Sequence, residues 1–141
     1  MARIQIDLPA RFIFSTDIPI YIGHINYGHH LDNALLLSLV SEARVRFFKS
    51  LGYTELDIEG VGIVVADAAV QYLSEAFHGE TLRAEMTPAD FNKYGCDLMW
   101  RLSDVASGRE VARGKTGIMF FDYAARKPAG VPAGFRAKVE S

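Results

Sequence analysis

The sequence predicts an α+β fold in which an antiparallel sheet of about five strands wraps around one long central helix. Apolar residues recur every four positions in one segment before residue 52, which is typical of a helix. Four β-branched and aromatic segments follow Gly60, which is typical of strands. The first two turns of the helix are apolar in almost every direction, so we expect it to be covered on more than one side.

The helix is predicted at about residues 33–51. Asp32 or Asn33 can cap its first free N–H groups, and Gly52 follows it as a left-handed terminator. Its apolar stripe comprises Leu31, Leu35, Leu39, Ala43, Phe47 and Leu51.

The remaining chain divides into strands and a tail. Strands are predicted at about residues 11–22, 63–74, 81–87, 94–105 and 110–123. A tight connection at 106–108 joins the last two, and Pro19 predicts that the first strand is bulged or lies at an edge. The Pro and Gly content of residues 125–141 predicts an irregular tail. From the chain length we expect residues 1–141 to form a single domain.

Composition excludes several classes of protein. The 15 Lys and Arg residues against 17 Asp and Glu give a net charge of −2, so we expect no nucleic-acid partner. No segment approaches the roughly 20 apolar residues of a spanning helix, and the N-terminus alternates where a signal peptide would be continuously apolar. The single cysteine, Cys96, fits a reducing compartment. We therefore expect a cytoplasmic protein with no membrane partner.

The segment His24-Ile-Asn-Tyr-Gly-His-His-Leu-Asp-Asn33, followed by Glu42-Ala-Arg44, resembles the signature of hotdog-fold acyl-CoA thioesterases of the 4-hydroxybenzoyl-CoA thioesterase type. In that family Asp-x-Asp-x-x-Gly-His-Val-Asn-Asn precedes the central helix, and Glu-Ala-Arg lies within it. The resemblance covers about residues 10–124. It implies a hotdog fold, hydrolysis of a small-molecule acyl-CoA thioester, no cofactor other than the coenzyme A of the substrate, and a homodimer or homotetramer with active clefts between protomers.

Two positions of the signature differ from the family. Its acidic residues fall on His24 and Asn26, and the second of them acts as nucleophile or general base in the family. An amide has no basic lone pair near neutral pH, so Asn26 can at most orient a catalytic water. The alternative function is therefore a hotdog protein that binds an acyl thioester or related small molecule without hydrolysing it.

Two carboxylates could replace the missing base. Asp67 lies inside the apolar run 63–70, where burial would raise its pKa; the alternative is a strand-edge or helix-facing Asp that bonds backbone amides or Arg44. Asp32 lies next to the helix start, where its alternative role is that of a plain N-cap.

Three histidines, His24, His29 and His30, fall within seven residues, and imidazole is well suited to proton transfer near neutral pH. For His24, base catalysis and loop packing are both open. His30 matches the family's histidine, whose role there is chiefly to shape the loop, and the other interpretation is a catalytic base. We expect His29 to be solvated. The spacing matches no pattern of metal ligands, so we expect no metal site.

Further residues are candidates for binding substrate. The resemblance implies that backbone N–H groups near Asp32, Asn33 and Ala34 hold the thioester oxygen. Glu42 would lie toward the cleft or subunit seam, or be a buried carboxylate with backbone or Arg partners. The remaining candidates are Tyr27 and Tyr72, for an acyl pocket or the core, and Lys93, Arg109, Arg113 and Lys115, for coenzyme A phosphates or as solvated charges.

Overall fold

Six strands and two helices form in residues 3–140, which are the residues that the computed structural model describes. In chain order they are β1 (Phe14–Pro19), a short 3-10 turn (Ile22–His24), α1 (Leu36–Ser50), β2 (Gly62–Tyr72), β3 (Thr81–Ala89), β4 (Gly95–Asp104), β5 (Glu110–Asp122), β6 (Lys127–Pro128) and α2 (Ala133–Val139).

The five longer strands form one antiparallel sheet in the order β1-β3-β4-β5-β2, and β6 pairs with the end of β5. Strands β1 and β2 are therefore the edges, and Pro19 ends an edge strand, where a missing N–H is tolerated. The α+β class and the sheet around one long helix are confirmed. The first strand is shorter than the predicted 11–22 at both ends, and residues 22–24 already form the 3-10 turn.

The start of helix α1 is set by Asp32. Its Oδ2 accepts hydrogen bonds from the N–H groups of Ala34 and Leu35, both at 3.0 Å, which confirms the predicted cap. A turn at residues 33–35 precedes the regular helix, which begins at Leu36. At the other end Gly52 takes a φ of 89°, as the left-handed terminator requires.

The hydrophobic core lies between one face of α1 and the inner face of the sheet. The buried helix residues are Leu36, Leu39, Val40, Ala43, Phe47 and Phe48. Opposite them Trp100 packs closely against Gly114, where a Cβ would clash with the indole ring. The Trp100 indole N–H donates a 3.3 Å hydrogen bond to the Thr116 hydroxyl, which satisfies the buried polar edge. The predicted coverage of the helix on more than one side is incomplete, since Leu35 remains 39% exposed.

The outer face of the sheet carries charges and the N-terminal segment. Ion pairs cross between neighbouring strands: Arg83 with Asp17, Arg101 with Glu85, and Lys115 with Asp67 and Asp97. The N-terminal segment lies against this face, where Arg113 donates to the Ile6 carbonyl at 3.2 Å. The outer face therefore carries ion pairs, whereas the hydrophobic core lies on the helix side.

The predicted irregular tail is wrong for residues 133–139, which form α2. Phe135 of this helix is fully buried, with its ring centroid 5.7 Å from that of Phe48 and 5.4 Å from that of Phe120. The buried contacts of Phe135 outweigh the local Pro and Gly content, on which the prediction of an irregular tail rests. Residue 141 of the predicted tail lies outside the described residues.

We predict that Phe135→Ala lowers the free energy of unfolding by about 3–5 kcal/mol, because it leaves a cavity among packed aromatic rings. Urea unfolding followed by the fluorescence of Trp100, at a fixed protomer concentration, measures the change. The control Phe77→Ala alters a ring that is 43% exposed and should cost about 0.5 kcal/mol or less. Equal losses in both variants would contradict the role of α2 in the core.

Candidate active site

The loop that leads into α1 is a closed turn stabilised by its own backbone. The Asn26 N–H donates to the His30 carbonyl, and the His29 N–H donates to the Asn26 carbonyl, each at 3.0 Å. The Asn26 side chain also shapes this turn, since its Oδ1 accepts the Gly28 N–H at 2.8 Å. His29 itself is exposed, as expected, with a φ of 67°. The loop thus presents His30 in a fixed place beside the helix start.

A cavity of about 310 Å³ lies between the helix start and the end of β2. Its walls are mostly apolar and carry a few polar side chains, which is typical of small-molecule sites. The lining residues are His30, Leu31, Asn33, Leu36, Tyr72, Leu73, Ser74, Glu75, Ala76 and Val111. We call this space the helix-start cavity.

His30 has the geometry of a proton acceptor in this cavity. Its Nδ1 lies 3.3 Å from the Leu31 carbonyl oxygen, which can only accept, so Nδ1 carries the hydrogen in this contact. The neutral ring then has its lone pair on Nε2. That atom lies 3.9 Å from Oε1 of Glu75, and the His30 side chain is 33% exposed. Nε2 is therefore free to take a proton from a group in the cavity.

One backbone N–H at the helix start is left without an internal partner. The Asp32 N–H donates to the His24 carbonyl, and those of Ala34 and Leu35 donate to the Asp32 carboxylate. Within residues 3–140 the Asn33 N–H has no hydrogen-bond acceptor. A free N–H at the positive end of a helix can stabilise negative charge on a substrate oxygen. Of the predicted donors, only Asn33 is available, since Ala34 is already engaged.

Tyr72 ties the helix start to the sheet. Its hydroxyl donates a 2.7 Å hydrogen bond to the Asn33 carbonyl across the helix-start cavity. Partial burial, and then the nearby Asp32 carboxylate, raise the pKa of Tyr72, so the hydroxyl remains a donor. Tyr72 is 49% exposed and lines the cavity, so it is not part of the core.

His24 and Glu42 line a different cavity of about 350 Å³, on the β1 side of the helix. The His24 Nδ1 accepts the Tyr21 N–H at 3.0 Å, and the two rings stack. Glu42 pairs with Arg46 at 2.7 Å and is exposed, so the alternative of a carboxylate with an Arg partner is confirmed but its burial is wrong. The structure does not bring these residues together with His30.

The burial expected of a catalytic Asp67 is wrong, and the alternative of a strand-edge Asp is confirmed in its position. Strand β2 is an edge strand with a bulge between Val65 and Asp67, and the carboxylate lies on the outer face of the sheet, 61% exposed. It pairs with Lys115 at 3.1 Å rather than with Arg44, whose partner is Glu55. The outer face is separated from the helix start by the sheet itself, so Asp67 does not reach the helix-start cavity of its own protomer.

Three predicted binding residues lie away from the helix-start cavity within one protomer. Tyr27 is 98% exposed at the loop tip, so it does not fill the core. Lys93 lies in the β3–β4 loop at the opposite end of the sheet, where its ammonium stands over the Tyr94 ring. Arg113 lies on the outer face and pairs with Glu110. Contacts of these residues with substrate stay predictions.

Sequence reasoning missed Glu75, which lines the helix-start cavity beside His30. The two residues are far apart in the chain and meet only because β2 returns to the start of α1. The available signal was an acidic residue directly after a strand that was predicted to end at Ser74.

The described residues were compared with two further kinds of feature, a metal-binding cluster and a membrane-spanning helix. No three His, Cys, Asp or Glu side chains in 3–140 are grouped so that they could hold a metal ion. In the same part of the chain, neither helix is long and apolar enough to cross a membrane.

Comparison with known families gives one match over most of the chain. The family model of the thioesterase-like superfamily matches residues 20–139. A search of the curated proteins finds no match.

Solved structures of two thioesterases and of one CoA-bound protein share the fold. A putative thioesterase from Pseudomonas aeruginosa is 24% identical, with a TM-score of 0.83 over 92% of this chain and 99% of that one. A 1,4-dihydroxy-2-naphthoyl-CoA thioesterase from Synechocystis is 16% identical, with a TM-score of 0.81 over 89% and 94%. A Staphylococcus aureus protein in complex with CoA is 17% identical, with a TM-score of 0.80 over 96% and 85%.

Proposed function

Because this chain belongs to the thioesterase-like superfamily, we propose that it hydrolyses an acyl-CoA thioester at the start of helix α1. The observation that carries the proposal is the helix-start cavity, whose lining residues include both Asn33, with its free backbone N–H, and His30, with its imidazole. Thioester hydrolysis needs these two functions, a donor for the carbonyl oxygen and a group that activates water.

In the proposed reaction, water attacks the thioester carbonyl carbon while Nε2 of His30 takes one of its protons. The carbonyl oxygen becomes an oxyanion and accepts a hydrogen bond from the Asn33 N–H. The tetrahedral intermediate then expels the coenzyme A thiolate, which takes the proton back from the imidazolium. The products are a carboxylic acid and the free thiol. In this mechanism Asn26 supports the loop, and Asp32 orients the helix start.

The lining of the helix-start cavity suggests which part of the substrate binds there and which part stays at the surface. Leu31, Leu36, Leu73 and Val111 offer an apolar wall for the acyl group. The nucleotide part of coenzyme A would stay at the surface, and the solved Staphylococcus aureus relative holds CoA. We propose no cofactor besides this part of the substrate. The cytoplasmic location expected from the sequence stays a prediction.

We also propose that the protein is at least a homodimer, in which the edge strand β2 of each protomer pairs with that of its partner. Edge strands are usually paired, covered or charged, yet the middle of β2 is an exposed and mostly apolar run, with Val65 51% exposed. Leu37 of the helix lines a small cavity beside Val65, which pairing would cover. Further pairing of dimers would give a homotetramer.

We predict that the purified protein hydrolyses members of a broad acyl-CoA panel above the buffer rate, and that His30→Gln lowers kcat by about 10²- to 10⁴-fold because the base is lost. Release of free thiol measures the rate. The matched control is His78→Gln. His78 is exposed and does not line the helix-start cavity, so this variant should keep full activity.

Three outcomes would contradict this mechanism. Tight calorimetric binding of acyl-CoA without turnover would indicate a binding protein. Full activity of His30→Gln together with loss of activity in His24→Gln would indicate that the catalytic base lies in the cavity lined by His24 and Glu42. Loss of activity in Asp67→Asn would make the outer-face carboxylate the base, against its position in the protomer.

We predict that light scattering at micromolar concentration gives a mass at least twice the protomer's 15.6 kDa. Val65→Glu should shift the protein toward the protomer, because pairing would bury an unpaired charge. The control Val105→Glu, at a hairpin residue that is 41% exposed, should leave the mass unchanged. A wild-type monomer would rule out the proposed assembly.

A further inference from the structure

Glu75 faces the same imidazole nitrogen that the proposed mechanism uses. Its Oε1 lies 3.9 Å from Nε2 of His30, which is too long for a direct hydrogen bond. Two acceptors at this separation can each receive a hydrogen bond from one water molecule placed between them. Both groups line the helix-start cavity, near the start of the helix that offers the Asn33 N–H.

We propose that Glu75 orients the attacking water by accepting one of its hydrogens while His30 takes the other, and that Arg109 is the positioning residue that holds Glu75 in place. This inference rests on the proposed function, which it deepens by adding a second acceptor for the nucleophile. It accounts for how water is oriented in a chain whose signature carboxylate is replaced by Asn26.

The backbone on either side of Glu75 is held by hydrogen bonds to β5, to the loop before α1 and to Glu80 of the same connection. The Ser74 N–H donates to the Val111 carbonyl at 3.1 Å, and the Leu31 N–H donates to the Ala76 carbonyl at 2.8 Å. The Phe77 N–H donates to a carboxylate oxygen of Glu80 at 2.7 Å. The connection after β2 therefore has a defined conformation, although the Glu75 side chain itself is 65% exposed.

The Arg109 side chain links this connection to the chain directly before β5. Its guanidinium donates to the Glu75 carbonyl at 3.0 Å, to Glu80 at 3.1 Å and to the Ser74 hydroxyl at 3.2 Å. Three acceptors around one planar group match the fork geometry of arginine, which lysine cannot reproduce. With these partners inside the protein, Arg109 is better explained as a support for this connection than as a phosphate ligand.

The exposure of Glu75 sets the size of the expected effect. A carboxylate that is largely in solvent contributes through orientation of the water more than through a strong charge interaction. We therefore expect its loss to lower kcat and to leave KM nearly unchanged, because neither residue contacts the bound coenzyme A in the proposed mechanism.

The test is a double-mutant cycle on the full chain, with acyl-CoA hydrolysis as the readout. Glu75→Gln and Arg109→Lys should each lower kcat by about 10- to 100-fold, with KM within about twofold. Glu75→Gln should have little further effect in a His30→Gln background, since both side chains act on one water. Arg109→Lys should likewise add little to Glu75→Gln. The matched control Arg83→Lys alters an exposed ion pair with Asp17 and should keep the wild-type kcat.

The outcomes separate this inference from the function on which it rests. If the wild type hydrolyses acyl-CoA and Glu75→Gln keeps the wild-type kcat, the role of Glu75 alone is overturned. The same conclusion follows if Glu75→Gln lowers kcat by the same factor in the His30→Gln background as in the wild type. An Arg109→Lys loss that persists undiminished in the Glu75→Gln background overturns the positioning role of Arg109. No hydrolysis by the wild type overturns the proposed function and this inference with it.

Discussion

The attachment of the helix start to the end of β2 is the constraint on which the candidate site depends. Two hydrogen bonds make it: the Leu31 N–H to the Ala76 carbonyl at 2.8 Å, and the Tyr72 hydroxyl to the Asn33 carbonyl at 2.7 Å. A third hydrogen bond, from the Ile20 N–H to the Glu80 carbonyl at 2.9 Å, fixes the beginning of the same loop. With them the N–H groups of the helix start, the imidazole of His30 and the apolar cavity have fixed relative positions, which catalysis by orientation requires.

Around this attachment the polar groups have distinct tasks. The Asp32 carboxylate caps the helix, and the Asn26 amide closes the preceding turn, so the proposed mechanism assigns proton transfer to neither. This division leaves the Asn33 N–H and His30 Nε2 as the unused donor and acceptor of the helix start. An asparagine in the signature is thus compatible with hydrolysis, provided that an imidazole takes the role of the carboxylate.

The sequence predicted those features that follow from local periodicity, and it failed where tertiary structure decides. The helix, the five long strands and the Asp32 cap follow from apolar spacing and capping chemistry. The exposure of Asp67 depends on a bulge and on which strand is at the edge, and α2 depends on the burial of Phe135. Glu75 meets His30 only through the return of β2, which no local pattern encodes.

The most direct test of the account is a crystal structure with an acyl-CoA ketone analogue, in which a methylene group separates the sulfur from the carbonyl and prevents hydrolysis. The account predicts that the ketone oxygen lies within hydrogen-bond distance of the Asn33 N–H and that the acyl chain occupies the helix-start cavity. A carbonyl bound in the His24 and Glu42 cavity, or one with no contact to the helix start, would contradict it.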